Sequence, residues 1–193
     1  MENNFNRVQL CGVVDEVLSE TRVIVDVERK SGNHDYIPVE IDDATVYNKN
    51  DAILVEGKLK SETVTDETGI RHLDTFVKGT DLSVLGEPRN FVGFTAYICK
   101  QPMLRETPKG KTICDYCVAI QDAKNNTSYY IYCISFGDAA TYVADLKVGA
   151  KIMAKGYFQS RTYTKDGLLK YCYEVVINNI KEIQDEQDWK DNY

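Results

Sequence analysis

The strongest constraint on this chain is an internal repeat. The stretch ILVEGKLKSETVTDETG at 53–69 aligns with IMAKGYFQSRTYTKDG at 152–167, and Gly57 falls on Gly156. Three Ser or Thr positions of the two stretches also coincide, and NRVQLCGVV near the start resembles NFVGFTAYI at 90–98. A repeat of this length predicts two copies of one folding module. We therefore expect domains at 1–86 and 89–184, followed by a short acidic tail at 185–193.

Each copy consists of short alternating runs rich in Val, Ile, Tyr and Thr, which is the pattern of β-strands. In the second copy the runs cover 91–98, 112–121, 129–136, 150–163 and 169–183. Between the third and fourth runs, GDAATYVADLKVG has helical spacing of its apolar residues. This order is that of the OB-fold, a barrel that commonly binds oligonucleotides. The sequence predicts a mainly β chain of two tandem five-stranded OB-fold barrels, the second with a helix between strands 3 and 4. In the first copy, DDATVYNKN predicts one helical turn or none.

The formal net charge of −7 is divided unevenly along the chain. Residues 1–88 carry 9 Lys and Arg against 18 Asp and Glu, whereas residues 89–181 carry 13 against 7. The tail at 182–193 carries 1 against 5. The second copy is therefore basic between two acidic segments. The acidity of the first copy indicates either an ordinary solvated surface or a surface for partners.

Aromatic and basic residues of the second copy alternate in a way that suits nucleic acid. Tyr130, Tyr132 and Phe136 are expected on one face of their strand, and Arg161 and Tyr163 share a face of another. Aromatic rings stack on bases while Lys and Arg attract phosphates. The alternative is that these tyrosines cover a partner subunit. The candidate nucleic-acid-binding residues are Arg105, Lys109, Lys111, Tyr130, Tyr132, Phe136, Arg161, Tyr163, Lys165 and Lys170.

Several blocks of the second copy resemble the bacterial single-stranded DNA-binding protein family. They are P-x-x-R-x-T-P-x-G from Pro102 to Gly110, YYIYCISFG at 129–137, VGAKIMAKGYFQSRTY and KYCYEVV. The resemblance implies that Tyr130, Phe136 and Tyr163 stack bases and that Arg105 and Arg161 are basic contacts. The loop QDAKNNTS is shorter than usual in the family and lacks the aromatic often present there.

The first copy resembles the same family more weakly. It keeps NRVQLCG and DYIPVEI, but Asp42 and Val64 stand where the second copy has Phe136 and Tyr163, and only Tyr36 matches Tyr130. We expect a degenerate acidic OB-fold that serves assembly or partner contact. Family members with two modules in a chain reach four modules as dimers, which implies a homodimer. The acidic tail is either a frayed terminus or a hook for replication or recombination proteins.

Other chemistry is poorly supported by the sequence. Cys114 and Cys117 are spaced C-x-x-C. On a strand, however, side chains three positions apart point to opposite faces, which favours buried thiols over a zinc site. His34 and His72 are isolated, and the sequence offers no catalytic constellation. We therefore expect no enzymatic activity and no cofactor. The chain has no apolar run that would span a membrane and no signal-peptide core, so a cytoplasmic location without membrane contact is expected.

These observations predict sequence-independent binding and protection of single-stranded DNA in replication, recombination or repair. One alternative is a primosomal or recombination accessory adaptor, similar to the primosomal replication protein N, that acts mainly through protein contacts. Another is a structural OB-fold pair with no nucleic-acid role. Salt-dependent DNA binding would separate the first possibility from the last, because only neutralised phosphates release counterions.

Overall fold

The computed structural model describes residues 5–66, 69–83, 89–165 and 167–183, and the side chains at 80–83, 165 and 168–170 are excluded from that description. Residues 84–88, which include the expected boundary between the two domains, and the expected acidic tail at 185–193 lie outside the described residues.

Strands dominate the described chain. The elements are β1 Asn6–Ser19, β2 Arg22–Glu28, β3 His34–Glu40, β4 Ala52–Thr65, β5 Arg71–Ser83, β6 Arg89–Ile98, β7 Met103–Glu106, β8 Thr112–Asp122, β9 Thr127–Phe136, α1 Gly137–Ala144, β10 Lys151–Lys165 and β11 Leu168–Glu182. In the second copy the predicted strands and helix are all present. Strand β7 was not predicted, because its four residues are all exposed and show no alternation of apolar and polar positions. Within the described first copy, residues 41–51 contain turns and no helix.

Strands β1 to β5 form a closed ring. β1 pairs antiparallel with β2 and with β4, β2 pairs with β3, and β4 pairs with β5. The parallel pairing of β3 with β5 closes the barrel. Its interior is filled by fully buried aliphatic side chains, among them Leu10, Val25, Ile37, Val55 and Leu59. These pairings confirm the mainly β class and a closed five-stranded barrel of OB type.

In the second copy, β6 pairs with β8, β8 with β9, and β9 runs parallel to β11. β10 is adjacent to both β6 and β11, and β7 lies on the outer edge of β8. Buried residues include Phe94, Ile120, Ile131 and Ile152, and α1 adds Ala140 and Val143. Burial therefore accounts for the alternation from which these strands were predicted.

Gly57 and Gly156, which coincide in the repeat, are glycines for the same steric reason. A Cβ on Gly57 would lie 2.1 Å from the carbonyl oxygen of Lys78, and one on Gly156 would lie 1.8 Å from that of Val176. No side chain fits at such distances, because the two backbones approach too closely. The shared glycine therefore marks the same close backbone approach in each copy.

The chain divides into two compact units whose limits differ from the repeat. One, here called the N-terminal unit, comprises Arg7–Val92 and Tyr157–Glu174. The other, the C-terminal unit, contains Gly93–Gly156 with the flanking stretches Met1–Asn6 and Val175–Tyr193. The tip of the β10–β11 hairpin thus groups with the first copy, while the domain limits 1–86 and 89–184 stay a prediction from the repeat. None of the described helices has the length and apolarity that a membrane span requires.

Candidate nucleic-acid interface

Three aromatic rings line the outer face of β9 in the C-terminal unit. Tyr130 and Tyr132 are each 49% exposed and Phe136 is 42% exposed, whereas Ile131 and Cys133 between them are buried. Alternation along a strand sends successive side chains to opposite faces, so the barrel interior takes one set and solvent the other. The three rings therefore have the facing that the sequence predicts.

The neighbouring strand β8 leaves two of these rings uncovered. In the antiparallel register Ala119 is opposite Tyr130 and Cys117 is opposite Tyr132. Cross-strand neighbours are the side chains that would cover a ring on the same face, and both of these are small. On the side of β8, Tyr130 and Tyr132 are therefore flanked only by small side chains.

Strand β7 and the turn that follows it carry the basic residues of the predicted loop. Arg105 is opposite Ile113, which in turn is opposite Phe136, so the arginine lies on the same row of three strands as that ring. The turn is closed by hydrogen bonds from the Thr107 N–H to the Lys111 carbonyl and from the Gly110 N–H to the Thr107 carbonyl, both 2.9 Å. The loop of the sequence analysis is therefore an ordered β-hairpin.

The cations of this hairpin are not equivalent. Lys109 and Lys111 are exposed, at the tip and at the end of the turn. Arg105 instead forms a bidentate ion pair with Asp115, in which its Nη2 is 3.1 Å from Oδ1 and its Nε also contacts Oδ2. The guanidinium is about half exposed. Gly110 has a φ of 74° and closes the hairpin, which suits a residue without a Cβ.

Lys100 is a basic residue of this face that the sequence analysis missed. Its Nζ lies 5.9 Å from the centre of the Tyr132 ring, within the range of a cation–π contact. The only signal in the sequence was a lysine just before the basic loop. A cation beside an exposed ring combines the two contacts that a single-stranded nucleic acid requires.

A shallow depression adjoins Tyr130 where β8 turns into β9. Its lining is polar apart from the ring and one alanine, and consists of Gln121, Asp122, Ala123, Asn126, Thr127, Ser128 and Tyr130. The Asp122 carboxylate accepts hydrogen bonds from Asn125 Nδ2 at 2.8 Å and from the Tyr129 hydroxyl at 3.3 Å. The short loop that lacks an aromatic thus forms an ordered polar turn.

The remaining predicted residues belong to the N-terminal unit, on the β10–β11 hairpin. Tyr163 is 47% exposed. Arg161 donates two hydrogen bonds to the buried carboxylate of Glu174, which also accepts one from Gln159 Nε2 at 3.0 Å. Lys165 and Lys170 lie in the strands, but their side chains are outside the described set. The ten candidates are thus divided between the two units, six in one and four in the other.

The same hairpin gives the N-terminal unit an aromatic cluster that the sequence analysis did not predict. Tyr171 stacks on Tyr173 with ring centres 6.2 Å apart, and Tyr36 meets Tyr171 edge-on at 6.4 Å. The Tyr36 N–H donates to Ser160 Oγ at 2.8 Å, and the ring centres of His34 and Tyr36 are 6.5 Å apart. Burial raises the pKa of Tyr173 to about 12. Tyr36, the one aromatic of the first copy that aligns with a candidate ring of the second (Tyr130), therefore contacts other aromatic rings.

Cys114 and Cys117 are both buried within β8, and all six cysteines are free. Burial raises the pKa of the Cys114 thiol to about 11 and that of Cys117 to about 12. Thiols with such values are almost entirely protonated at neutral pH. The described residues contain no group of three or more His, Cys, Asp or Glu side chains arranged to hold a metal ion.

With this geometry described, comparison with known proteins identifies the second copy. Residues 90–183 match the sequence model of the Single-strand binding protein family. Residues 90–183 belong to the single-strand binding protein family. The match covers β6 to β11 with the helix, including all ten candidate residues. No curated protein matches the chain significantly.

Solved structures extend the likeness in fold to almost the whole chain. A deletion variant of the single-stranded DNA binding protein from Thermus aquaticus superposes with a TM-score of 0.75 at 15% identity, covering 96% of this chain and 98% of its own. The wild-type protein from the same organism gives 0.68 at 15% identity, covering 94% of each chain. The likeness in fold therefore includes the first copy, which lies outside the family match.

Proposed function

We propose that this protein binds single-stranded DNA without selecting a sequence and protects it during replication, recombination or repair. The observation that carries the proposal is the row of exposed rings, Tyr130, Tyr132 and Phe136, on one face of β9. Stacking of a base on an aromatic ring contributes about 1–3 kcal/mol and tolerates any sequence, since every base has a π-face. Membership of the second copy in the single-strand binding protein family supports the same function.

The phosphates of the strand meet the cations of the C-terminal unit. Lys109 and Lys111 on the β7–β8 turn are exposed, and Lys100 lies over Tyr132. Arg105 is paired with Asp115 and its side chain is about half exposed. Residues 89–181 have an excess of six positive charges, which favours a polyanion.

The β10–β11 hairpin adds contacts of its own. Tyr163 offers an exposed ring, β10 ends at Lys165, and Lys170 is a position of β11. Arg161 forms an ion pair with the buried Glu174 and partly neutralises its carboxylate. A phosphate bound nearby therefore does not face an unpaired negative charge. The four residues thus form a second, smaller group of contacts within the N-terminal unit.

We also propose that the chain is a tandem of two OB-fold modules at 1–86 and 89–184, and that two chains assemble into a homodimer with four modules. The acidic first module, with nine more acidic than basic residues in 1–88, repels phosphate and is better suited to protein contact. The tail at 185–193 is acidic, and we propose it as a second segment that binds replication or recombination proteins.

A second candidate function is that of a primosomal or recombination adaptor. It is favoured by the aromatic cluster of Tyr36, Tyr171 and Tyr173, in which Tyr36 comes from the acidic first copy. Tyrosines are enriched in protein interfaces because one side chain provides both a large apolar surface and a polar hydroxyl. In either role the protein acts by binding rather than by catalysis, and we place it in the cytoplasm, where free cysteines remain reduced.

The proposal is tested by fluorescence anisotropy of labelled oligo-dT titrated with the full chain at low and at moderate salt. Affinity is expected to fall steeply as salt rises, because each neutralised phosphate releases counterions. An equal-length duplex serves as the control and should bind more weakly, since its bases are not free to stack. Absence of salt-dependent binding to oligo-dT would overturn the proposed function and leave the adaptor role and the structural OB-fold pair.

A further inference from the structure

The depression beside Tyr130 has a chemical character that base stacking does not explain. Apart from Tyr130 and Ala123, its lining consists of polar side chains. A surface that only supported stacked bases would gain from further apolar or aromatic area, and this loop offers only the small Ala123.

The strand register fixes which of these side chains lie beside the ring. Tyr130 is opposite Ala119, and the next row on the same face pairs Ser128 with Gln121. Successive rows on one face of a sheet are about 7 Å apart, which is close to the width of a base. A base stacked on Tyr130 therefore extends its edge over Gln121 and Ser128, and the small Ala119 leaves the approach open.

Both side chains have hydrogen-bonding capacity to spare. Within the described part of the chain, neither the Gln121 amide nor the Ser128 hydroxyl has a hydrogen-bond partner in the protein, and Gln121 is exposed. The Asp122 carboxylate in contrast is already held by Asn125 and Tyr129. The groups left for a ligand are thus neutral ones that can both donate and accept.

We propose that this depression is a nucleobase-edge subsite, in which Gln121 and Ser128 form hydrogen bonds with the edge of the base that stacks on Tyr130. The inference rests on the proposed function and adds a contact to it. An amide has a donor and an acceptor side by side, and it can present them in either order by rotating about its last bond. It therefore matches the donor and acceptor pairs of all four bases, so that the subsite holds bases by their edges without selecting among them.

The test is a double-mutant cycle between the protein and the base. Oligo-dT is compared with an equally long oligomer in which difluorotoluene, a shape-matched base that forms almost no hydrogen bonds, replaces thymine. The quantity compared is the ratio of the affinity for oligo-dT to the affinity for the difluorotoluene oligomer. This ratio should be roughly threefold to tenfold larger for the wild-type chain than for the Gln121→Ala/Ser128→Ala variant, which is the range that one neutral hydrogen bond gives. Gln101→Ala, an exposed glutamine outside the depression, is the matched control and should keep the wild-type preference.

The outcomes separate the two proposals. Tight binding of oligo-dT with the same preference in the wild-type chain and the double variant would overturn the edge contact and leave the proposed function standing. No binding of oligo-dT by the wild-type chain would overturn both. Equal thermal melting of the three proteins is the check that the variants are folded, and it is expected because the substituted side chains lie on the surface.

Discussion

The guanidinium of Arg161 is bound to the buried carboxylate of Glu174, with its Nε 2.6 Å from Oε1 and its Nη2 2.8 Å from Oε2. The Glu174 side chain is only 8% exposed, whereas that of Arg161 is 53% exposed. An arginine that resembles a phosphate contact in the sequence thus also neutralises an acid inside the protein. Removing the Arg161 side chain should therefore lower the stability of the protein as well as weaken DNA binding.

We predict that Arg161→Ala lowers the free energy of unfolding by roughly 1–3 kcal/mol, because hydrogen bonds to a charged group are removed and a buried carboxylate is left with Gln159 alone. Urea denaturation of the two proteins measures the difference. The double variant Arg161→Ala/Glu174→Gln should regain part of this stability, since no unpaired charge remains. Equal stability of Arg161→Ala and the wild-type chain would show that the ion pair adds nothing.

The equivalent tyrosines of the two copies should respond differently to the same change. Tyr130→Ala removes an exposed ring of the basic second copy and should weaken oligo-dT binding by about 1–3 kcal/mol. Tyr36→Ala removes a ring of the acidic first copy that is held against Tyr171, and it should leave oligo-dT affinity within about twofold. Anisotropy titrations of both variants make the comparison. A decrease for Tyr36→Ala as large as that for Tyr130→Ala would show that the acidic first copy also stacks bases.

The lysines of the β7–β8 turn should set part of the salt dependence. Replacing both Lys109 and Lys111 by alanine is expected to weaken binding to all sequences alike. It should also reduce the slope of log affinity against log salt by about one for each phosphate that the lysines no longer neutralise. Titrations of oligo-dT at several salt concentrations give the slope. Lys30→Ala, an exposed lysine of the first copy, is the control, and a slope unchanged by the double substitution would exclude the turn from phosphate binding.

His34 should titrate above its ordinary range. Its Nδ1 lies 2.7 Å from Asp26 Oδ1, and this hydrogen bond raises the pKa of His34 above the usual value of 6.5. A raised folded-state pKa stabilises the protein below the ordinary pKa, and that contribution disappears as the pH rises through the folded-state value. NMR titration of the His34 ring should show the raised pKa, and Asp26→Asn should lower it. An unchanged pKa in Asp26→Asn would assign the shift to another cause.

The repeat and the strand alternation were sufficient to predict the local fold of the second copy. Tyr130, Ile131 and Tyr132 illustrate why: on a barrel with a closed core, the period of two decides which side chain is buried. The helix at Gly137–Ala144 was predicted in the same way, from apolar residues at helical spacing. Strand β7 lacked both signals, since all its residues are exposed and the register with β8 defines it.

Features that depend on contacts distant in sequence were not predictable. The grouping of 157–174 with the first copy depends on contacts such as the hydrogen bonds that join Ser160 to Asp35 and Tyr36, more than 120 residues away in sequence. The pairing of Arg105 with Asp115 depends on the register of β7, and the position of Lys100 over Tyr132 depends on where β6 ends. Composition identifies these residues as cations but not their partners.

The central claim is that a row of rings on β9 stacks the bases of single-stranded DNA. The most direct measurement is the affinity for labelled oligo-dT of the triple variant Tyr130→Ala/Tyr132→Ala/Phe136→Ala, compared with the wild-type chain at the same salt. We predict that affinity falls by at least about 100-fold, since each ring contributes about 1–3 kcal/mol, with melting temperature little changed because all three side chains are exposed. An affinity equal to that of the wild-type chain would show that the strand is held by its phosphates alone, and would contradict the account.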